Sequence, residues 1–170
     1  MRWLIDGYNV IRRDVELRAG EAESLEGGRA ALLALLARVA RETAETFTVV
    51  FDGARPGGGT ASPGRVAVLF SRPPESADDV LRRLAASLRD GAVVVTSDRA
   101  VLDSARRAGA VAVSAEAFLD AVRRDDRMTE DEDEAPPRGR GPHRRPSREA
   151  RDAARVLRKL RPVDGPPRMG

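Results

Sequence analysis

The sequence contains no cysteine, which excludes disulfide scaffolds, thiol catalysis and cysteine zinc sites. Its one histidine, His143, provides too little for a Ser-His-Asp triad or a histidine-rich metal centre. Aromatic residues make up 4% of the chain, which leaves little for a base-stacking platform. No apolar run is long enough to span a bilayer, and the chain opens directly on the strand-like Trp3-Leu4-Ile5-Asp6. Neither a membrane span nor a signal peptide is expected, and the cytoplasm is the default location. A metal, if used, must be held by oxygen ligands. Lysine is nearly absent too: Lys159 is the only one, and every other basic side chain is arginine.

What remains suits one domain with an ordinary core, in 170 residues. Its charge is unevenly placed. From Ala135 to Gly170 there are 11 basic and 3 acidic residues, a net +8 that leaves −5 on the preceding 134. A mildly acidic body with a strongly basic tail points to a polyanionic partner for the tail.

Apolar runs alternate with helical periodicity along the chain. Strands are expected at Trp3–Asp6, Phe47–Phe51, Val66–Phe70, Ala92–Thr96 and Val111–Val113. Gly7-Tyr8-Asn9 reads as a turn. A helix is expected from about Ser24 to Thr43, with Gly27 and Gly28 weakening its first turn. Further helices are expected over Ser76–Leu88, Arg99–Arg107 and Glu116 to about Arg123, the last capped by Ser114. The alternation predicts an α/β fold, a mainly parallel sheet with helices on both faces. Gly53 to Gly64 reads as a mobile loop. Residues 1–126 are expected to form the domain and 127–146, with the acidic run Glu130–Glu134, a disordered linker. Residues 147–170 read as a basic tail with a short helix, striped by Ala150, Ala153, Ala154, Leu157 and Leu160.

The placement of the carboxylates carries the chemistry. Three predicted strands end on a carboxylate, Asp6, Asp52 and Asp98, and Asp78-Asp79 opens the helix after the third strand of the chain. In an open parallel sheet, ligands bind beyond the carboxyl ends of the strands. Taken singly, each has a local reading: Asp6-Gly7 and Asp52-Gly53 as turns, Ser76 to Asp79 as a capping box, Asp98 as an N-cap. Taken together, four segments bring acids to one edge. Crowded carboxylates repel unless a cation is present, and a hard divalent ion accepts oxygen ligands.

These residues resemble a known family. Ile5-Asp6-Gly7-Tyr8-Asn9-Val10-Ile11, Val50-Phe51-Asp52-Gly53, Ser76-Ala77-Asp78-Asp79 and Val95-Thr96-Ser97-Asp98 are similar to the motifs of YacP-like NYN domains, within the PIN-like and FEN-like nuclease fold, over about residues 3 to 124. The resemblance implies a three-layer, five-stranded sheet of order 3-2-1-4-5 and Mg²⁺- or Mn²⁺-dependent endoribonuclease activity. For some members it implies action on messenger RNA associated with the ribosome. By position it implies metal-binding and catalytic roles for Asp6, Asp78 and Asp98, with Asp52 an accessory ligand. Asn9 would orient a ligand or substrate phosphate, and the Thr96 and Ser97 hydroxyls would bond a carboxylate or phosphate. Many relatives carry Glu where this chain has Asp79. The segment after Asp125 matches the family poorly.

Arg99, beside these motifs, is a further candidate for the substrate backbone. Tyr8 could stack a base or pack on the sheet edge. The Gly57-Gly58-Gly59 loop lacks the Gly-Lys-Ser/Thr of a phosphate-binding loop, so no nucleotide cofactor is expected. Two readings follow: a metal-dependent endoribonuclease, and a non-catalytic module that docks RNA or the ribosome through its basic tail. A phosphatase ranks below both, because no Asp-x-Asp follows the first strand.

Overall fold

Five short apolar runs become strands: β1 (Arg2–Asp6), β2 (Thr46–Phe51), β3 (Val66–Phe70), β4 (Ala92–Val95) and β5 (Val111–Val113). The computed structural model describes residues 1–53, 64–127 and 147–160. Most of the Gly/Pro loop, nearly all of the expected linker and the end of the tail therefore lie outside the described residues. All strand pairs are parallel, in the order β3-β2-β1-β4-β5, with Ile5 opposite Val49 on one side and Val95 on the other.

Alternation along β1 divides the core. Trp3 and Ile5 join one apolar cluster with Val10, Leu36 and Phe118, while Leu4 joins another with Leu81, Val94 and Val101. Both faces are covered, and so the central strands read as continuous apolar runs.

The helices are α1 (Gly7–Arg13), α2 (Val15–Glu23), α3 (Leu25–Glu42), α4 (Ala77–Leu88), α5 (Arg99–Arg107), α6 (Ala115–Arg127) and α7 (Arg148–Leu157). Among the described residues, no helix is long and apolar enough to cross a membrane. Two of these helices depart from the sequence expectation. Gly7-Tyr8-Asn9 is not an isolated turn but the first turn of α1, because Asp6 accepts from Asn9 N at 3.3 Å and Val10 and Ile11 are buried. Helix α2 was not expected, since its apolar face is weak: Leu17 is buried but Val15 is exposed. Asp14 starts it, accepting from Glu16 N at 3.0 Å and Leu17 N at 2.9 Å.

Gly27 and Gly28, read as weak points of α3, are where α2 packs against it. A Cβ on Gly27 would stand 2.5 Å from Gly20 O. Helix α7 starts at Ser147, whose Oγ accepts from Ala150 N at 3.1 Å. It is docked on the domain: Val156 and Leu160, in the turn that follows α7, are each 3% exposed and belong to the cluster around Trp3 and Phe118.

Candidate active site

Strand order reverses at β1, with β2 built on one side and β4 on the other. The loops leaving β1 and β4 therefore diverge and open a crevice. Asp6 ends β1, and the Thr96-Ser97-Asp98 loop leaves β4. Asp52 follows β2, and Asp78 lies in the first turn of α4. All four carboxylates line one cleft of about 770 Å³, together with Asn9.

Local bonds hold each acid. Asp6 Oδ2 accepts from the Thr96 hydroxyl at 2.8 Å, and that hydroxyl oxygen accepts from Asp98 N at 3.1 Å. Asp98 Oδ1 accepts from Val101 N at 3.0 Å and so caps α5. Asp52 Oδ1 accepts from Ala77 N at 2.7 Å and the Ser71 hydroxyl at 2.8 Å, which ties the end of β2 to the start of α4. Asn9 Oδ1 accepts from Ser97 N at 2.8 Å, joining α1 to the β4 loop. Asp78 faces Arg82 at 3.7 Å.

The electrostatics are strained by burial. Burial pushes the Asp6 carboxyl up against the bonds from Thr96 and Asn9, and Asp78 and Asp52 add to the rise. Asp78 is also raised, by burial first and then by Asp98. Asp79 belongs to a different arrangement. It closes a capping box with Ser76, and those bonds hold it below its ordinary value.

Three candidates stand apart from the cleft. Thr96 is fully buried, so it positions Asp6 and Asp98 and touches nothing in solvent. The Ser97 hydroxyl turns to α6, bonding Glu116 Oε2 at 2.6 Å and accepting from Ala115 N at 3.3 Å. Arg99 is exposed at the first turn of α5 and is not among the residues of the cleft. The cleft's basic wall comes instead from Arg12, Arg13 and Arg29. The Arg29 guanidinium lies 5.4 Å from the Tyr8 ring, 5.6 Å from Phe51 and 5.4 Å from Phe70, and it donates to the Tyr8 hydroxyl. Tyr8 in turn packs edge-on against Phe51. No linear motif marks Arg29. Its face of α3 becomes a cleft wall only when α3 lies beside α1.

The sequence matches the YacP-like NYN domain family over residues 3–161, well past the end of α6 and through α7. The chain belongs to the YacP-like NYN domain family. This YacP-like domain resembles the crystal structure of Rae1 (YacP) from Bacillus subtilis at 30% identity and a TM-score of 0.65, over 76% of this chain and 78% of that one. A mutant form of the same Bacillus subtilis protein matches at 30% identity and a TM-score of 0.64, over 76% and 79%. No curated protein sequence matches the chain. Membership makes this a nuclease-type domain with an RNA-related role, and its match through residue 161 takes in the segment that the motifs alone had left out.

The oxygen-only donor set suits a hard divalent cation, whose charge would offset the burial and the neighbouring acids that push Asp6 and Asp78 up. Among the described residues no three Asp, Glu or His side chains stand close enough to share one ion directly. A divalent cation held there would take one or two of these carboxylates directly and reach the others through its waters.

Proposed function

We propose that this YacP-like domain is a metal-dependent endoribonuclease that hydrolyses RNA phosphodiester bonds in the cleft at the β1–β4 junction. The observation that carries the reading is that one cleft is lined by Asp6, Asp52, Asp78 and Asp98 together with Arg12, Arg13 and Arg29. Pure RNA binding would not need carboxylates placed beside a polyanion.

Hydrolysis forms a phosphorus–oxygen bond to water and breaks one to a ribose oxygen; the water's protons end on the two products. Asp6, Asp78 and Asp98 would hold a divalent ion, Mg²⁺ or Mn²⁺, one or two of them directly and the rest through its waters, with Asp52 accessory. When bound, that ion supplies a more acidic water and neutralises charge at phosphorus. The chain's own groups do the rest. Asp6 and Asp78, pushed up by burial in the metal-free chain, are carboxylates whose charge that ion would compensate. Thr96 keeps Asp6 pointed at the cleft. Arg29, pinned by Tyr8, Phe51 and Phe70, holds a phosphate oxygen with little further loss of side-chain freedom. Asn9, tied to Ser97 through its carbonyl, presents its amide to the substrate.

The test is incubation of the full chain with end-labelled single-stranded and structured RNA in Mn²⁺, Mg²⁺ or chelator, beside Asp6→Asn. Cleavage is expected with either ion and is lost in chelator and in the variant. Cleavage that survives both would reject the site and its metal. Binding without cleavage under every condition would establish the RNA- or ribosome-docking module instead.

A further inference from the structure

A second concavity lies outside the cleft. It is a groove of about 870 Å³ between α6 and α7, with Ala117, Ala121, Ala154 and Leu157 among its lining residues. Arg148, Arg151, Arg155 and Arg158 line it. Their spacing of three, four and three residues places them within an arc of about 80° on the helix, at 3.6 residues per turn. The same rise spreads them over about 15 Å. All four are exposed. The carboxylates of α7 do little to neutralise them. Glu149 is turned to Arg106 at 3.3 Å, and Asp152 reaches Arg148 at 3.8 Å. Among the described residues, Arg151, Arg155 and Arg158 have no carboxylate partner. Asp120 is the other acid at the groove.

Among the described residues the groove and the cleft share no lining residue, but helix α6 reaches both. Glu116 pairs with Arg13 at 3.1 Å, and Arg13 lines the cleft. The next residue of α6, Ala117, lines the groove. One helix thus forms a wall of the groove and reaches the cleft rim. A line of arginines beside small residues, without an aromatic anchor, suits a phosphate backbone better than a protein partner, whose interfaces centre on bulky aromatic residues.

We propose that the α6–α7 groove holds the ribose-phosphate backbone of the substrate RNA strand beyond the cleft, through Arg148, Arg151, Arg155 and Arg158. The proposal rests on the endoribonuclease reading for the identity of the strand. It makes α7 an extension of the substrate site that contributes affinity and no base readout.

The test measures binding of labelled single-stranded RNA of about 6 and about 24 nucleotides to the full chain in chelator, across a salt series. The unaltered protein is expected to bind the longer strand several-fold more tightly. Arg151→Ala with Arg155→Ala should erase that advantage and flatten the slope of log affinity against log salt by about 1.4, at roughly 0.7 per phosphate. Arg18→Ala with Arg41→Ala, the same charge removed from α2 and α3, should keep both. A thermal melt confirms that each variant is folded. An unchanged slope and length advantage in the α7 variant would overturn the proposal, and is also the result expected of a groove that takes an acidic protein segment. An equal loss in the α2/α3 variant would overturn it as well, because charge and not place would then govern. Cleavage of the short strand by the unaltered protein tests the active-site reading separately.

Discussion

The Thr96 hydroxyl donates to Asp6 Oδ2 at 2.8 Å across 90 residues of sequence. The same oxygen accepts from Asp98 N, so one fully buried side chain sets both the acid that ends β1 and the turn that carries Asp98. Thr96→Val keeps the shape but leaves a buried carboxylate oxygen and a backbone N–H without their partner. The expected cost is about 1–3 kcal/mol. Cleavage should fall with it, and Thr96→Ser should retain more of both. A Thr96→Val protein that melts and cleaves like wild type would show that this hydroxyl does not position the site.

The raised carboxyls predict a pH dependence. Asp6 and Asp78 hold protons more tightly folded than unfolded, so stability falls as pH rises from their unfolded values through their raised folded ones. Asp79 and Glu116, lowered by bonds from Ser76 and Ser97, act in the opposite sense: their contribution is present above the ordinary carboxylate range and is lost as pH falls through their lowered values. Metal-free protein should therefore gain stability from neutral pH down toward the ordinary carboxylate range and lose it below. Asp78→Asn should melt higher than wild type at neutral pH in chelator and show a smaller gain on acidification. Melting curves in chelator check this; a lower neutral melting temperature for Asp78→Asn would contradict it.

Gly7 is required by a ring and not by a backbone angle. A Cβ there would stand 2.5 Å from Phe51 Cδ1 and overlap the ring. Phe51 also supports Tyr8 and Arg29. Gly7→Ala, which helix propensity alone favours, should destabilise the protein by about 1–3 kcal/mol through overpacking. It should also raise KM for RNA by shifting the basic wall. Denaturant unfolding and steady-state cleavage measure the two effects, and a stabilised variant would mean that Phe51 moves aside freely.

Val156 tests whether α7 belongs to the domain in solution. It is 3% exposed in the cluster that contains Trp3 and Phe118. Val156→Ser should cost about 1.5–3 kcal/mol, the value of burying such a side chain. A helix that merely trailed in solvent would leave the unfolding midpoint where it is.

The strands, their parallel arrangement and the four acids at one edge were legible because they rest on local pattern. A strand buried on both faces must be apolar, and its end must meet the crevice where the order reverses. Helix α2 left almost no periodic trace, since Leu17 alone anchors it among its apolar residues, and Gly27 and Gly28 read as weak points until α2 was seen to pack on them. Arg29 could not be read at all. Its partners Tyr8, Phe51 and Phe70 come from three separate elements and surround one guanidinium only after the chain has folded. Ser97 and Arg99 show the converse, since adjacency to Asp98 in sequence placed them in the motif while the turn aimed one at Glu116 and the other at solvent. The tail's positive charge was evident from composition, but its arrangement was not. Burial of Val156 and Leu160 fixes which face of α7 meets the core, and that choice sets four arginines along the groove between α6 and α7.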